Sequence, residues 1–138
     1  MIELSHKTVA TVTLAPQAEL TLVALPGLIS WMLSQADVQI HRLDLCIPDE
    51  RIDYRTDHGT LTFKMLEGPE ATRQIAVTCN TLVRGTREIG RQLCFQIINR
   101  LIARTAVTAI FWQPTRQTLD PAAFTWHQLA DAPQRLAS

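Results

Sequence analysis

The sequence carries no excess charge of either sign, because 13 lysine and arginine residues are matched by 13 aspartate and glutamate residues. A protein that binds nucleic acid through its phosphates normally carries a basic excess, so nucleic acid is not an expected partner. A long apolar run is also missing, since the longest, from Thr21 to Leu33, is interrupted by Pro26 and Gly27. A membrane-spanning helix needs about 20 apolar residues, so a membrane is not an expected partner either.

Cysteine is scarce, and Cys46, Cys79 and Cys94 are widely spaced. No two of them have the spacing of a zinc knuckle or a redox dithiol. Each has apolar neighbours, which is typical of buried, reduced thiols. Residues 1–7 lack the charged start and apolar stretch of a signal peptide. We therefore expect a cytoplasmic protein.

The N-terminal half predicts three strands and one helix. Apolar side chains at every second position indicate strands at Thr8–Leu14 and Leu61–Met65. A proline suited to a first helical turn predicts a helix from Pro26 to Gln35. Val38–Ile47 changes the phase of its alternation, which predicts a strand with a bulge near residues 41–42.

The C-terminal half predicts a βαβ unit. Strand Ile75–Val83, helix Thr86–Arg104 and strand Val107–Trp112 follow one another, and such crossovers are right-handed. Val107–Trp112 is apolar at both odd-numbered and even-numbered positions, which indicates a strand buried on both faces. A final helix is expected from Asp120 to about Ala130, with an aspartate cap and a proline in its first turn. The long helix presents a wide apolar arc to the sheet, formed by Ile89, Leu93, Cys94, Ile97, Ile98, Leu101 and Ile102.

These elements predict one domain. The chain has 138 residues without a repeat, a low-complexity tract or a Gly/Ser linker, and 46% hydrophobic with 19% charged residues is typical of a globular protein. We expect a single α+β domain over residues 1–138. Its mixed sheet of about five or six strands carries helices mainly on one face. The expected order is β-α-β-β-β-α-β-α, loosely two ferredoxin-like half-units.

One stretch of the C-terminal half is similar to a known pattern. The strand Ala109–Trp112 ends in an aromatic pair. After a loop comes the segment Asp120–Phe124, which has a proline at its second position and a phenylalanine at its fifth. With the strand Gln74–Thr78, these segments resemble the C-terminal signature of an uncharacterised bacterial domain family. Arg73 and Gln74 replace the histidine-rich lead-in of that family, and Phe111 replaces a tyrosine. The resemblance implies a fold and no activity, so it assigns no functional residues.

Five carboxylates cluster in an acidic segment, residues 44–58, most of it in the predicted polar loop Pro48–Gly59. Such a cluster could hold a hard cation, which needs six or more oxygens. The spacing differs from that of a calcium loop, and the interleaved Arg51 and Arg55 favour a solvated loop with ion pairs. No metal site is assigned, and Asp49, Glu50 and Asp53 are expected to be highly exposed. The carboxylates are Asp44, Asp49, Glu50, Asp53 and Asp57.

The residue types of familiar catalytic sites are present without their spacing. The four histidines show no HxH or HExxH pattern, and no serine lies in a GxSxG elbow. No catalytic, cofactor-binding or metal-ligating residue is assigned. The balance favours a non-enzymatic protein.

Three arginines, Arg84, Arg87 and Arg91, cluster where a strand gives way to the long helix. Helix N-termini can bind anions through their free backbone amides. The glycine pattern of a P-loop or dinucleotide site is absent. A plain N-cap at Thr86 is the simpler interpretation, and an anionic partner is the alternative.

The sequence leaves two functions open. The expected one is a non-enzymatic module that binds a protein partner or a second copy of itself, with Trp126 and His127 as interaction candidates because tryptophan is common at binding hot spots. Trp31 and Trp112 are expected in the core. The alternative is a small enzyme or anionic-ligand sensor that uses the Arg84–Arg91 helix start or the acidic segment. An exposed apolar patch would favour the first function, and a pocket of converging polar groups would favour the second.

Overall fold

The computed structural model describes residues 5–82, 88–127 and 129 and contains a seven-stranded sheet with two α-helices. The α+β class is therefore confirmed. The strands run across the sheet in the order β2-β3-β4-β5-β1-β6-β7, so β2 and β7 are its edges. The helices are α1 (Leu25–Gln35) and α2 (Glu88–Arg104). The strands are β1 (Ser5–Leu14), β2 (Ile40–Cys46), β3 (Arg51–Thr56), β4 (Gly59–Glu67), β5 (Arg73–Leu82), β6 (Val107–Trp112) and β7 (Gln117–Leu119).

All neighbouring strands pair antiparallel. The mixed sheet that the sequence predicts is therefore wrong. β1 lies between β5 and β6 and pairs with both. Consequently β5 and β6 run parallel to each other, and α2 connects them as a crossover with β1 in the middle. Its handedness stays a prediction. β1 and β2 are separated by β3, β4 and β5, so the sheet does not confirm the ferredoxin-like half-units.

The core lies between the sheet and the helices. Alternate strand residues such as Val12, Phe63 and Val77 are fully buried, which is the period-two pattern of a sheet covered on one face. The apolar arc predicted for the long helix is confirmed where its side chains are described. Five of its members are buried in the same core: Leu93, Cys94, Ile97, Ile98 and Leu101.

The predicted polar loop Pro48–Gly59 is wrong, because it contains the strand β3. Ile52 and Tyr54 are fully buried, while the charged residues that alternate with them, Arg51, Asp53 and Arg55, face outward. Charged residues alternate with buried apolar ones in this segment, which is the pattern of a half-buried strand. The bulge predicted in the preceding strand is confirmed by a register shift between Ile40 and Arg42.

Two expectations for the C-terminal half also differ from the structure. β6 is buried on one face only, since Phe111 is 39% exposed between buried Ile110 and Trp112. The predicted helix start at Asp120 opens a single 3-10 turn, Pro121–Ala123, in which the Asp120 carboxylate accepts a hydrogen bond from the Ala122 amide at 2.9 Å. Helical backbone follows at Trp126, His127 and Leu129, and the predicted end of that helix near Ala130 lies outside the described residues.

Trp31 lies at the surface and is 42% exposed, whereas the sequence predicts it in the core. The Arg104 guanidinium lies 4.3 Å from the centre of its ring. This cation–π contact joins the two helices at their outer surface, where part of the indole remains in contact with water.

Candidate functional site

The edge strand β2 exposes an unusual number of large apolar side chains. Ile40 is 38%, Leu43 is 42% and Leu45 is 43% exposed, and Ile47 just beyond the strand is 63% exposed. We call these four residues the apolar edge. An exposed apolar strand at a sheet edge offers unpaired backbone groups as well as apolar surface, so it is a template for pairing with another chain.

The strand register places the apolar edge on the helix side of the sheet. Leu43 is paired with Tyr54 and Leu45 with Ile52, and both partners are fully buried. Directly opposite residues in an antiparallel pair share a face. Leu43 and Leu45 therefore extend the core face by one strand beyond the part that the helices cover.

Tyr54 fixes α1 next to this edge. Its hydroxyl lies 3.1 Å from the Ser30 hydroxyl and donates to the Pro26 carbonyl at 3.2 Å. Burial raises the pKa of Tyr54, and the hydrogen bond with Ser30 opposes that rise. On the α1 surface, a side chain added at Gly27 would meet nothing within 4 Å. Space is thus open at the start of α1.

The acidic segment supplies ion pairs on the opposite face of this edge. Arg42 and Asp44 pair at 3.0 Å, and Arg51 and Asp53 pair at 3.0 Å. Asp53 also accepts a hydrogen bond from Thr62 at 2.7 Å. The Asp53 side chain is 28% exposed. The prediction that Asp53 is highly exposed is therefore wrong. In the part of the chain that the structure describes, no three histidine, cysteine or acidic side chains converge as metal ligands.

The predicted interaction candidates near the C-terminus occupy different settings. Trp126 is half-buried and packs edge-on against Phe95, with ring centres 5.6 Å apart. Phe95 in turn stacks on Phe124 at 5.0 Å. Trp126 is therefore one wall of an aromatic cluster on α2. His127 beside it is exposed.

A second feature is a groove at the open side of β1. β5 pairs with β1 from Ser5 to Thr13, whereas β6 pairs with it only from Ala10 onward. After Trp112 the chain leaves the sheet in a 3-10 turn, Gln113–Thr115. A groove of about 700 Å³ lies beside the part of β1 that does not pair with β6.

Positive charge from three separate elements meets in this groove, which we call the cationic groove. Lys7 comes from β1, Arg91 from the first turns of α2, and Arg116 from the turn before β7. Among the residues whose side chains the structure describes, which do not include Glu88 on α2, none of the three has a carboxylate within ion-pair distance. The remaining lining comes from Thr8, Val9, Thr78, Gln113 and Pro114.

Gly90 sets the position of Arg91. A Cβ atom at Gly90 would lie 2.6 Å from the Thr81 hydroxyl oxygen, so only glycine lets α2 approach β5 this closely. Arg91 follows directly and reaches the rim of the groove. Of the three arginines predicted at this helix start, Arg84 and Arg87 lie outside the described residues, as does the predicted cap Thr86. Sequence reasoning missed Lys7 and Arg116, which no local spacing connects to Arg91.

Two of the three cysteine thiols are buried, and the third is half-buried. Cys79 and Cys94 are fully buried, and a hydrogen bond that the Cys94 thiol donates to the Cys79 sulfur, together with burial, raises the pKa of Cys94 well above its usual range. Cys46 is half-buried on β2, with its sulfur 3.3 Å from an Asp49 carboxylate oxygen. All three are free cysteines, as expected, but only two are packed in the core.

The chain matches no family model, no curated protein and no solved structure. The resemblance of its C-terminal half to an uncharacterised bacterial domain family stays a prediction. Within the described residues, no helix is long and apolar enough to cross a membrane. A functional assignment therefore depends on the apolar edge and the cationic groove.

Proposed function

We propose that this chain is a non-enzymatic, self-associating protein whose protomers join through their β2 strands. The apolar edge carries this proposal. Its Leu43 and Leu45 side chains lie on the core face of an edge strand and remain more than 40% exposed. A second copy that adds its own β2 strand would pair the free backbone groups and cover these side chains at once.

The charges on β2 favour one register for such a pair. In an antiparallel pair related by a twofold axis through Leu43, that residue faces the partner's Leu43. Arg42 then faces the partner's Asp44, and Asp44 faces the partner's Arg42. Moving the axis by one residue to Arg42 or to Asp44 would place like charges directly opposite each other, which is destabilising. Charge complementarity therefore selects the Leu43-centred register.

The size of the contact sets the expected strength. β2 has seven residues and a bulge at its start, so the regular part of the edge is short. Stable interfaces usually bury about 1,200–2,000 Å² in total, and a strand pair with a few apolar side chains lies at the low end. We expect a dimer with a dissociation constant on the order of micromolar.

Disulfide cross-linking tests both the association and the register. The variant Leu43→Cys is made in a Cys46→Ser background, which leaves Cys79 and Cys94 buried. Because directly opposite residues have Cβ atoms about 5 Å apart, mild oxidation should convert this variant into a covalent dimer. Sedimentation of the parent protein over a concentration series should show a reversible monomer–dimer equilibrium.

Leu45→Cys in the same background is the matched control. Position 45 is on the same strand face and equally exposed, but in the Leu43-centred register it does not face itself. It should cross-link much more slowly. A parent that stays monomeric at the highest concentration tested, or equal cross-linking at both positions, contradicts the proposal.

A further inference from the structure

We propose that the cationic groove is a binding site for a phosphorylated small molecule that carries at least two negative charges. This site is separate from the β2 edge, since its residues come from β1, β5, α2 and the β6–β7 turn. β2 lies three strands away from β5 in the sheet. The proposal therefore stands independently of self-association.

The charge of the groove favours an anionic ligand. The whole chain has zero net charge, yet Lys7, Arg91 and Arg116 converge on one groove without a carboxylate partner among the residues whose side chains are described. Elsewhere on the described surface, Arg42 and Arg51 have carboxylate partners, each at 3.0 Å, whereas Arg55 and Lys64 have none but do not share a groove with other cations. Like charges brought together repel one another. An anionic ligand would remove that repulsion.

The donors that line the groove suit phosphate oxygens. A guanidinium group presents parallel N–H donors that match two oxygens of one phosphate, and the lysine ammonium adds a compact charge. Thr78 and Gln113 contribute neutral side-chain donors to the same groove. No described strand pairs with β1 beside residues 7–9 on this side, so alternate backbone groups of β1 also face the groove. Several donors along one groove suit a phosphate better than a single carboxylate.

The size of the groove suits a small molecule. A volume of about 700 Å³ lies within the usual range for small-molecule sites, about 300–1,000 Å³. Val9 and Pro114 provide the apolar part of the lining. The site therefore accommodates phosphate groups at the cations and an organic portion of modest size beside them.

Calorimetric titration with sodium pyrophosphate at low ionic strength is the first test. We expect a dissociation constant below about 1 mM, which weakens as salt is added because exposed charges are screened. Arg91→Gln and Arg116→Asn should each weaken binding by at least about fivefold, since each removes a charge-assisted contact. Asparagine is chosen at position 116 because Arg116 has a φ of 54°, a conformation that asparagine tolerates.

Lys64→Gln and Arg55→Gln are the matched controls, because both residues are exposed strand cations outside the groove. They should change pyrophosphate affinity by less than about twofold. Thermal melts of all four variants without pyrophosphate establish that each is folded.

Three outcomes would overturn the proposal. One is the absence of pyrophosphate binding, and another is an equal loss of affinity in the control variants, which would indicate attraction by surface charge alone. The third comes from sodium citrate, a polyanion without phosphorus. Citrate binding as tight as pyrophosphate binding would exclude phosphate as the recognised group.

Discussion

The two edges of the sheet hold equivalent positions and are built in opposite ways. β7 has three residues, lies between the 3-10 turns Gln113–Thr115 and Pro121–Ala123, and buries Leu119 in the core. β2 has seven residues and exposes Leu43 and Leu45 on its core face. A short edge flanked by turns offers little backbone to another strand, whereas a longer apolar edge invites pairing.

This difference shows which edge of the core face is covered within the protomer and which edge is exposed. At β7 the core face ends at a buried leucine beside Ile110, its register partner. At β2 the same face continues for one strand beyond the cover of the helices. The two edges of the sheet therefore separate packing that stabilises the protomer from surface that would become buried in the proposed dimer.

The largest expected effect comes from placing the same substitution at both edges. Leu119→Asp puts a carboxylate into a site that is 6% exposed, and this should lower the free energy of unfolding by about 3 kcal/mol or more. Leu45→Asp, at a site that is 43% exposed, should change it by only about 1 kcal/mol or less. Urea unfolding followed by tryptophan fluorescence, at concentrations low enough to keep the protein monomeric, measures both.

Sedimentation completes the comparison of these two variants. Leu45→Asp should remain monomeric at concentrations where the parent dimerises, because pairing of the β2 strands would then cover a charged carboxylate in place of an apolar leucine. Equal destabilisation by the two substitutions would show that β2 belongs to the core in the same way as β7.

A smaller effect is expected from reversing charges on β2. Arg42→Asp or Asp44→Arg alone places like charges across the proposed interface and should weaken the dimer by about tenfold, or about 1.4 kcal/mol. The double reversal Arg42→Asp/Asp44→Arg restores opposite charges in the same register and should recover most of the affinity. Sedimentation equilibrium measures all three. Recovery is the decisive observation, since a general loss of folding would not be repaired by a second substitution.

Much of the fold could be predicted from sequence because its periodicity is strong. The long helix α2, the strand β1 and the bulge in β2 follow from local patterns of apolar residues. β3 escapes prediction because charged residues alternate with Ile52 and Tyr54, and their outward orientation becomes clear only once a neighbouring strand supplies the register.

The cationic groove was only partly predictable for a related reason. Arg91 could be singled out from a local cluster at a helix start. Lys7 and Arg116 lie near opposite ends of the chain, and they meet Arg91 because β1 occupies the middle of the sheet, between β5 and β6. No spacing rule in the sequence contains that arrangement.

The smallest expected effect concerns Tyr54, which ties α1 to the sheet beside the open edge. Tyr54→Phe removes the hydroxyl that contacts Ser30 and donates to the Pro26 carbonyl. It should lower the free energy of unfolding by about 1 kcal/mol at neutral pH, the usual net value of such a hydrogen bond. Ser30→Ala is the matched control and should cost less, because the Tyr54 hydroxyl keeps its bond to the Pro26 carbonyl.

The pH dependence of the same residue sharpens this prediction. Burial raises the pKa of Tyr54 in the folded protein, so above the ordinary tyrosine value of about 10 the unfolded chain loses its proton while the folded chain keeps it. The contribution to stability is thus complete below about pH 10 and is lost as the pH rises from there toward the folded-state pKa. Tyr54 is the only tyrosine in the chain, and comparing parent with Tyr54→Phe cancels the titration of lysines and cysteines. Urea unfolding from about pH 9 to about pH 11 should therefore show a steeper loss of stability in the parent. Parallel curves would mean that the Tyr54 hydroxyl is as accessible to ionisation in the folded protein as in the unfolded chain.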